Sequence, residues 1–386
     1  MNDREIVSYN QLKSYIEKEG FIGYDPYDTL LSKIPFKELG KWFPVLAIQF
    51  QKRNPINIRP LLGIKKGINP KAYGLFLKAY SMRYALQQNQ DDLEKMKYFF
   101  TWLKNNHSKS YKGYGWGYNF PWASSEKYLA PYIPSAVVTG FVCKGIFQYY
   151  LTTNDPDAVE AIHNAKDFII SELPQYRDDS GLCISYTPVK RDICYNASLL
   201  AGEVLAMEYY FTQDESLKNL VFDMVDFVVK RQKSNGSWAY SEDIRSGKER
   251  LQLDFHQGYI IESIFEIMKY LKIKKDEWDN AIKKGLEYYK NVLFMDNGQS
   301  YWRYPKKYPI DIHNQSQGII TFNKIYKYDK NYFEFSKKIL RYTIRNMQSV
   351  HGYFYYQKFI FHTHKISYMR WSQAWMFLAM TQMKES

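Results

Sequence analysis

The chain has 386 residues, 45% of them hydrophobic and 18% aromatic, with a formal net charge of +13, which provides for a large core and excludes a disordered chain. No apolar run reaches the ~18 residues of a membrane span, and the polar opening Met1–Gln11 lacks the apolar stretch of a secretion signal, so no integral membrane segment is expected. Lys and Arg are scattered in pairs such as Lys306-Lys307, so nucleic acid is not an expected partner, while an anionic glycan is compatible.

In chain order, Ile6–Glu19 reads as a helix that stops at GFIGY, Gly20 to Tyr24. Residues 25–70 are rich in Pro, Lys and Arg and fit no period; they read as an insertion over one end of the fold. KAYGLFLKAYSMRYAL then starts a repeating unit of helix, short polar turn, second helix, and a stop tag rich in Gly and aromatics. The tags are KGYGWGY, DSGLCISY, KSNGSWAY, DNGQSYWRY and VHGYFYY, each with Gly positioned to end a helix. The first helices align near Gly74, Ser135, Asn196, Gln257, Gln315 and Gln373, at intervals of 61, 61, 61, 58 and 58. SQAWMFLAMTQM opens a sixth unit, which the N-terminal helix completes. The expected fold is therefore all-α: a single domain over 1–386, an (α/α)6 toroid of six helical hairpins closed by pairing the first helix with the last. The first helix of each pair is apolar nearly all round and is expected to be the inner one.

Every tag precedes an inner helix, so all tags gather at one end of the ring. That end should hold Tyr24, Asp25, Trp116, Tyr118, Trp122, Asn196, Gln257, Trp302, Gln317 and Arg370 as candidate sugar-binding residues: aromatic faces stack on pyranose rings, and amides and charges bind hydroxyls. The chain also writes Asp-x-His-amide twice, at Asp254-Phe255-His256-Gln257 and Asp311-Ile312-His313-Asn314. Asp254 and Asp311 are candidate acid and base, since helices packed ~8–10 Å apart can carry the carboxylate pair of an inverting glycosidase. His256 and His313, in first helical turns, are candidate neutral bases for a lyase or epimerase. The alternative for each Asp is helix capping, with Asp254 and Gln257 as a capping box. Asp192, Cys194 and His256 could ligate zinc, although no tight local spacing supports a metal and no cofactor is required. His362 and His364 are expected on a surface loop. The odd cysteine count, Cys143, Cys183 and Cys194 without a CxxC pair, points to reduced thiols and a cytoplasmic location.

The six-hairpin plan resembles the six-hairpin glycosidase and toroidal polysaccharide lyase superfamily. FIGYDPYDTLLSKI, NPINIRPLLGIKKGINPKAYGLFLKAY at 54–80 and DIHNQSQG resemble a little-characterised bacterial family of surface-polysaccharide gene clusters, some members of which are labelled delta-aminolevulinic acid dehydratase. That resemblance implies glycan assembly or modification and supplies no agreed catalytic residues; the dehydratase label requires a TIM barrel with alternating strands, which the sequence lacks. QKSNGSW, Gln232 to Trp238, also matches the Q-x-x-x-G-x-W repeat of terpenoid cyclases, and Asp192-Ile193-Cys194 with His256 is similar to the zinc arrangement of protein prenyltransferases, implying an isoprenoid-handling toroid as the alternative. A non-catalytic glycan-binding ring is the third reading.

Overall fold

The computed structural model describes residues 1–124 and 128–385. Among them are thirteen α-helices: α1 (Asp3–Lys18), α2 (Phe43–Arg53), α3 (Pro70–Gln87), α4 (Gln90–Asn105), α5 (Ala136–Thr153), α6 (Pro156–Glu172), α7 (Tyr195–Thr212), α8 (Glu215–Val229), α9 (His256–Tyr270), α10 (Asp276–Leu293), α11 (Ile312–Lys324), α12 (Lys330–Met347) and α13 (Trp375–Glu385). A π-helical turn, Met369–Ala374, leads into α13.

Burial separates the two rings. Helix α7 buries every residue from Tyr195 to Tyr209. Helix α10 buries a stripe, including Trp278, Ala281, Ile282, Gly285, Leu286 and Tyr289, at the three-to-four spacing of an amphipathic helix. Three of the tight inner-to-outer turns share one device. Gln88, Asn154 and Gln213 adopt left-handed C-caps, and the next residue, Asn89, Asp155 or Asp214, caps the outer helix with its side chain. Ring closure is aromatic: Tyr9 of α1 stacks on Phe377 of α13 at 5.5 Å, and Phe377 meets Tyr80 of α3 at 5.2 Å. Helix α13 thus pairs with α1 and sits between α11 and α3. The architecture is an all-α (α/α)6 toroid.

A hydrogen-bonded clasp fixes the register of five hairpins. A side chain one turn into each inner helix accepts the backbone N–H of the preceding tag: Thr139 from Trp116 (3.1 Å), Ser198 from Ile184 (3.0 Å), Gln257 from Trp238 (2.9 Å), Gln315 from Ser300 (2.7 Å) and Gln373 from Phe354 (2.8 Å). Gln257 and Gln373 also donate to the carbonyl of the same tag residue, both at 2.8 Å. The clasps recur at 59, 59, 58 and 58 residues. The 61-residue alignment is therefore corrected: Thr139 and Ser198, not Ser135 and Asn196, are the equivalents of Gln257. Asp254 lies three residues before its clasp, Asp311 four before its own. The doubled phrase is one residue out of register, a rotation of ~100° around the helix.

Residues 25–69 lie outside the hairpin repeat. They form a 3-10 turn at Asp28–Leu31 and helix α2, beside the strand pair Trp122–Ala123 and Tyr128–Leu129. Buried Arg59 anchors the segment through Asp28 (2.7 Å) and the carbonyl of Asp25 (2.9 Å). Burial pushes the Asp28 carboxyl up to about 6 against the pull of Arg59.

Candidate active site at the tag end of the ring

The clasp register shows which inner-helix residues face the axis. Two residues before the clasp stand Phe255, His313 and Trp371, with ring centroids 4.2 Å (Phe255–His313), 4.6 Å (His313–Trp371) and 6.1 Å (Phe255–Trp371) apart. Two residues after it stand Phe141, Tyr259 and Trp375, separated by 5.0–5.7 Å. Lys71, in the first turn of α3, extends its amine to 4.1 Å from the Phe141 ring centroid and 5.2 Å from that of Trp375. About one turn deeper, Lys144 pairs with Glu203 at 2.9 Å, and Lys324 pairs with Glu266 at 2.6 Å beside Glu262 at 3.4 Å. Tyr118, Tyr186 and Tyr240 complete the rim, with Tyr240 edge-on to His256 at 4.7 Å. The result is an aromatic funnel above a buried ionic layer.

The two histidines differ in their partners. His256 Nδ1 donates to Asp254 Oδ1 at 2.6 Å, and Asp254 also accepts Gln252 Nε2 at 2.8 Å. The carboxylate fixes the tautomer and leaves the Nε2 lone pair of a partly exposed ring free. His313 is buried, with Nε2 2.5 Å from the Tyr259 hydroxyl. Burial raises the Tyr259 phenol well above its ordinary value, so the phenol stays protonated and donates to Nε2. Burial first, then the charges of Lys71 and Arg370, hold His313 well below the usual imidazole value. A neutral His313 accepting at Nε2 carries its proton on Nδ1, which has no hydrogen-bond partner among the described residues; neither has Trp375 Nε1. Lys71 is also held well below the ordinary lysine value, by burial and then by Arg370.

The carboxylates do not form a free pair. Asp311 caps α11 and accepts His313 N (2.9 Å), Trp371 Nε1 (2.9 Å) and Gln357 Nε2 (2.7 Å), while burial raises its carboxyl. Asp254 is occupied by His256. Both aspartates are thus engaged by neighbouring groups, Asp254 by His256 and Gln252, Asp311 by His313, Trp371 and Gln357. The Asp254–Gln257 capping box is also absent, because the Gln257 amide is spent on Trp238.

Several expected sugar contacts take structural positions instead. Trp116 is 0% exposed and donates Nε1 to the Leu103 carbonyl at 3.0 Å, so it is core and not a stacking platform. Gln257 is a clasp, and buried Gln317 donates to Glu262 and Thr321. Buried Asn196 accepts the Cys194 thiol at 3.3 Å. Arg370 and Asp25 neutralise each other in a buried bidentate pair (2.5 and 2.8 Å). Tyr24 lies away from the axis, bridging Tyr368 and lining a side cavity of about 370 Å³. Trp122 and Trp302 are half-buried, in the strand pair beside α2 and in the 300–306 loop respectively. Tyr118 does face the rim, stacked on Phe120 at 5.2 Å with the Arg370 guanidinium over its ring at 4.8 Å.

The zinc set is not assembled. Burial raises the Cys194 thiol to about 12, Asp192 accepts Tyr186 N at 2.8 Å, and among the described residues no three His, Cys, Asp or Glu side chains stand together as a metal site. His364 is not on a surface loop: it is buried beside Tyr356, and burial lowers its imidazole to about 4, while His362 is exposed. Lys71, Phe141, Phe255, Tyr259, Trp371 and Trp375 were not singled out in the sequence. The signal for Phe255 and Trp371 is an offset of two residues before the clasp, and for Phe141, Tyr259 and Trp375 of two after it, readable only once the 58–59-residue register is set; Lys71, on α3, has no such signal.

No protein-family model matches the chain, and no curated protein matches it by sequence. Among solved structures, the fold is that of the six-hairpin glycosidase-like toroids. Cellobiose 2-epimerase from Bacillus thermoamylovorans superposes with a TM-score of 0.63 at 15% identity, over 81% of this chain and 87% of the other. The GH76 alpha-mannanase of Bacteroides thetaiotaomicron gives 0.61 at 16%, over 82% and 86%. An unsaturated glucuronyl hydrolase specific for heparin gives 0.64 at 11%, over 99% and 96%.

Proposed function

We propose that the chain is a carbohydrate-active enzyme that transfers a proton at the carbon beside a sugar carbonyl, as an aldose–ketose isomerase or a 2-epimerase. One observation carries the reading: two imidazoles lie against the same Phe255 ring, at 4.1 and 4.2 Å, in opposite states of preparation. His256, backed by Asp254, offers a basic lone pair at Nε2. His313, neutral and backed by the Tyr259 hydroxyl, offers a donor at Nδ1. The Phe255 ring separates the two imidazoles and must turn aside for a ring-opened sugar to meet both; His256 then removes the proton from C2 and His313 donates to the carbonyl oxygen. The negative charge develops there as the enediolate forms. Return of the proton to C1, as the C2 hydroxyl proton passes to O1, gives a ketose; return to the other face of C2 gives the epimer. A single free base favours the ketose route. The occupied state of Asp254 and Asp311 weighs against glycoside hydrolysis by a carboxylate pair. The reaction requires no cofactor. Structural kinship with proteins named cellobiose 2-epimerase and D-mannose isomerase supports this class, and the sequence resemblance is consistent with a sugar of surface-polysaccharide metabolism as substrate.

The test is proton NMR in D₂O with mannose, cellobiose and N-acetylglucosamine. Loss of the C2 proton signal accompanied by ketose or epimer supports the reading. No C2 exchange across a wider panel of reducing sugars, with release of monosaccharide from any glycan, overturns it in favour of hydrolysis.

A further inference from the structure

Helix α2 presents an apolar face to solvent. Pro44, Ile48 and Gln51 face the protein. Phe43, Leu46 and Phe50 line the opposite face at i, i+3 and i+7, and Leu39 and Trp42 precede them on the same segment. All five are between 50% and 65% exposed. Exposed apolar residues on a monomer are ordinarily scattered, and a contiguous set marks an interaction surface.

The charge around this stripe is predominantly positive. Residues 33–66 contain eight Lys and Arg and a single acid, Glu38; buried Arg59 is paired with Asp28 and Lys66 with Glu19, and the other six cations have no acid partner within the segment but Glu38. Lys33, Lys37, Lys41, Arg53 and Lys65 are exposed. A convex apolar stripe rimmed by lysines cannot pair with a second copy of itself without bringing like charges together. It does match a negatively charged bilayer, where apolar side chains enter the headgroup boundary and lysines meet lipid phosphates. We propose that this face docks the protein on an anionic membrane surface.

The position of the helix gives the docking a consequence. Lys52, on the protein side of α2, hydrogen-bonds the Tyr27 hydroxyl at 2.5 Å and lies 5.9 Å from the Trp371 ring. One helix diameter, ~10 Å, therefore separates the membrane face from the funnel wall. The docking goes beyond the proton-transfer reading and does not depend on it.

The experiment is co-sedimentation of the full chain with vesicles of phosphatidylcholine alone and with about one-third phosphatidylglycerol, at about 0.1 M salt. The expected result is binding at least about tenfold tighter to the anionic vesicles. The triple variant Phe43→Ser, Leu46→Ser, Phe50→Ser should lose at least about tenfold, and Lys33→Gln with Lys37→Gln and Lys41→Gln should lose the anionic preference. Circular dichroism of each variant should match the parent, because the changed side chains are exposed. Absence of vesicle binding, equal binding to both vesicle types, or unchanged binding by the triple variant overturns the proposal. So does a dimer, seen by light scattering, that the triple variant abolishes in the absence of vesicle binding.

Discussion

Replacing Asp254 with Asn tests the chemistry most directly. The substitution keeps the shape of the side chain and an oxygen for His256 Nδ1–H, now 2.6 Å from a carboxylate. What it removes is the negative charge. In the ground state, with His256 neutral, that costs little. In the transition state His256 is acquiring a proton, and a carboxylate about 4 Å from the charge centre stabilises it by ~4 kcal/mol at an effective dielectric of 20. Solvent reaching the partly exposed ring reduces this to about 3 kcal/mol, and each 1.36 kcal/mol is a factor of ten. The expected loss in kcat is therefore about 10²-fold, approaching 10³ if the Asn amide turns and imposes the wrong tautomer, with KM little changed. The assay is the initial rate of C2 deuterium exchange by NMR from pH 5 to 9. A loss in kcat below about fivefold would refute the assignment of His256 as base and Asp254 as its orienting partner.

Three further outcomes are expected. Tyr259→Phe frees His313 Nε2 to carry the proton and should lower kcat by about 10–100-fold while KM moves less than about threefold; an unchanged kcat means His313 Nδ1–H is not the oxyanion donor. Gln315→Ala strands Ser300 N–H and the Gly298 carbonyl, bonded at 2.7 and 3.1 Å, and should destabilise by about 3–5 kcal/mol in urea unfolding; a loss below about 1 kcal/mol removes the clasp as a determinant of register. Acidification tests His313 in isolation. Its folded-state pKa lies below the unfolded value of ~6.5, so the unfolded chain binds the extra proton. Stability attributable to this residue is complete above that value and falls by about 1.4 kcal/mol per pH unit below it. The slope below pH 6.5 should be shallower in His313→Phe, and identical slopes in the two proteins would contradict the neutral, buried imidazole.

The ring was legible because its cause is local and repeated. Every inner helix must be apolar all round, every outer helix on one stripe, and Gly or a left-handed cap must end each one, so the period is written in residue type. The clasp was half legible: Gln257, Gln315 and Gln373 announce it, whereas Thr139 and Ser198 perform the same bond with a hydroxyl, and this displaced two of the aligned starts. The fate of the tag aromatics was not legible. Trp116 and a platform tryptophan look alike in sequence, and only the direction of the ring, set by the Nε1 bond to Leu103, separates them. The same holds for Arg370 and Asp25, 345 residues apart in the chain and meeting only because the ring closes. The histidines stood out by spacing, yet their different duties follow from one residue of register, 57 against a period of 58, which periodicity alone treats as noise.

The ionic layer under the funnel also has a topological meaning. Lys144 and Glu203 from one pair of inner helices, and Glu262, Glu266 and Lys324 from the next, form two ion-paired groups beneath the aromatic rings. On the proposed reading, these charged groups act as the floor of a cup, and a free small sugar or a chain end entering at the mouth is favoured over an interior linkage of a threaded polymer.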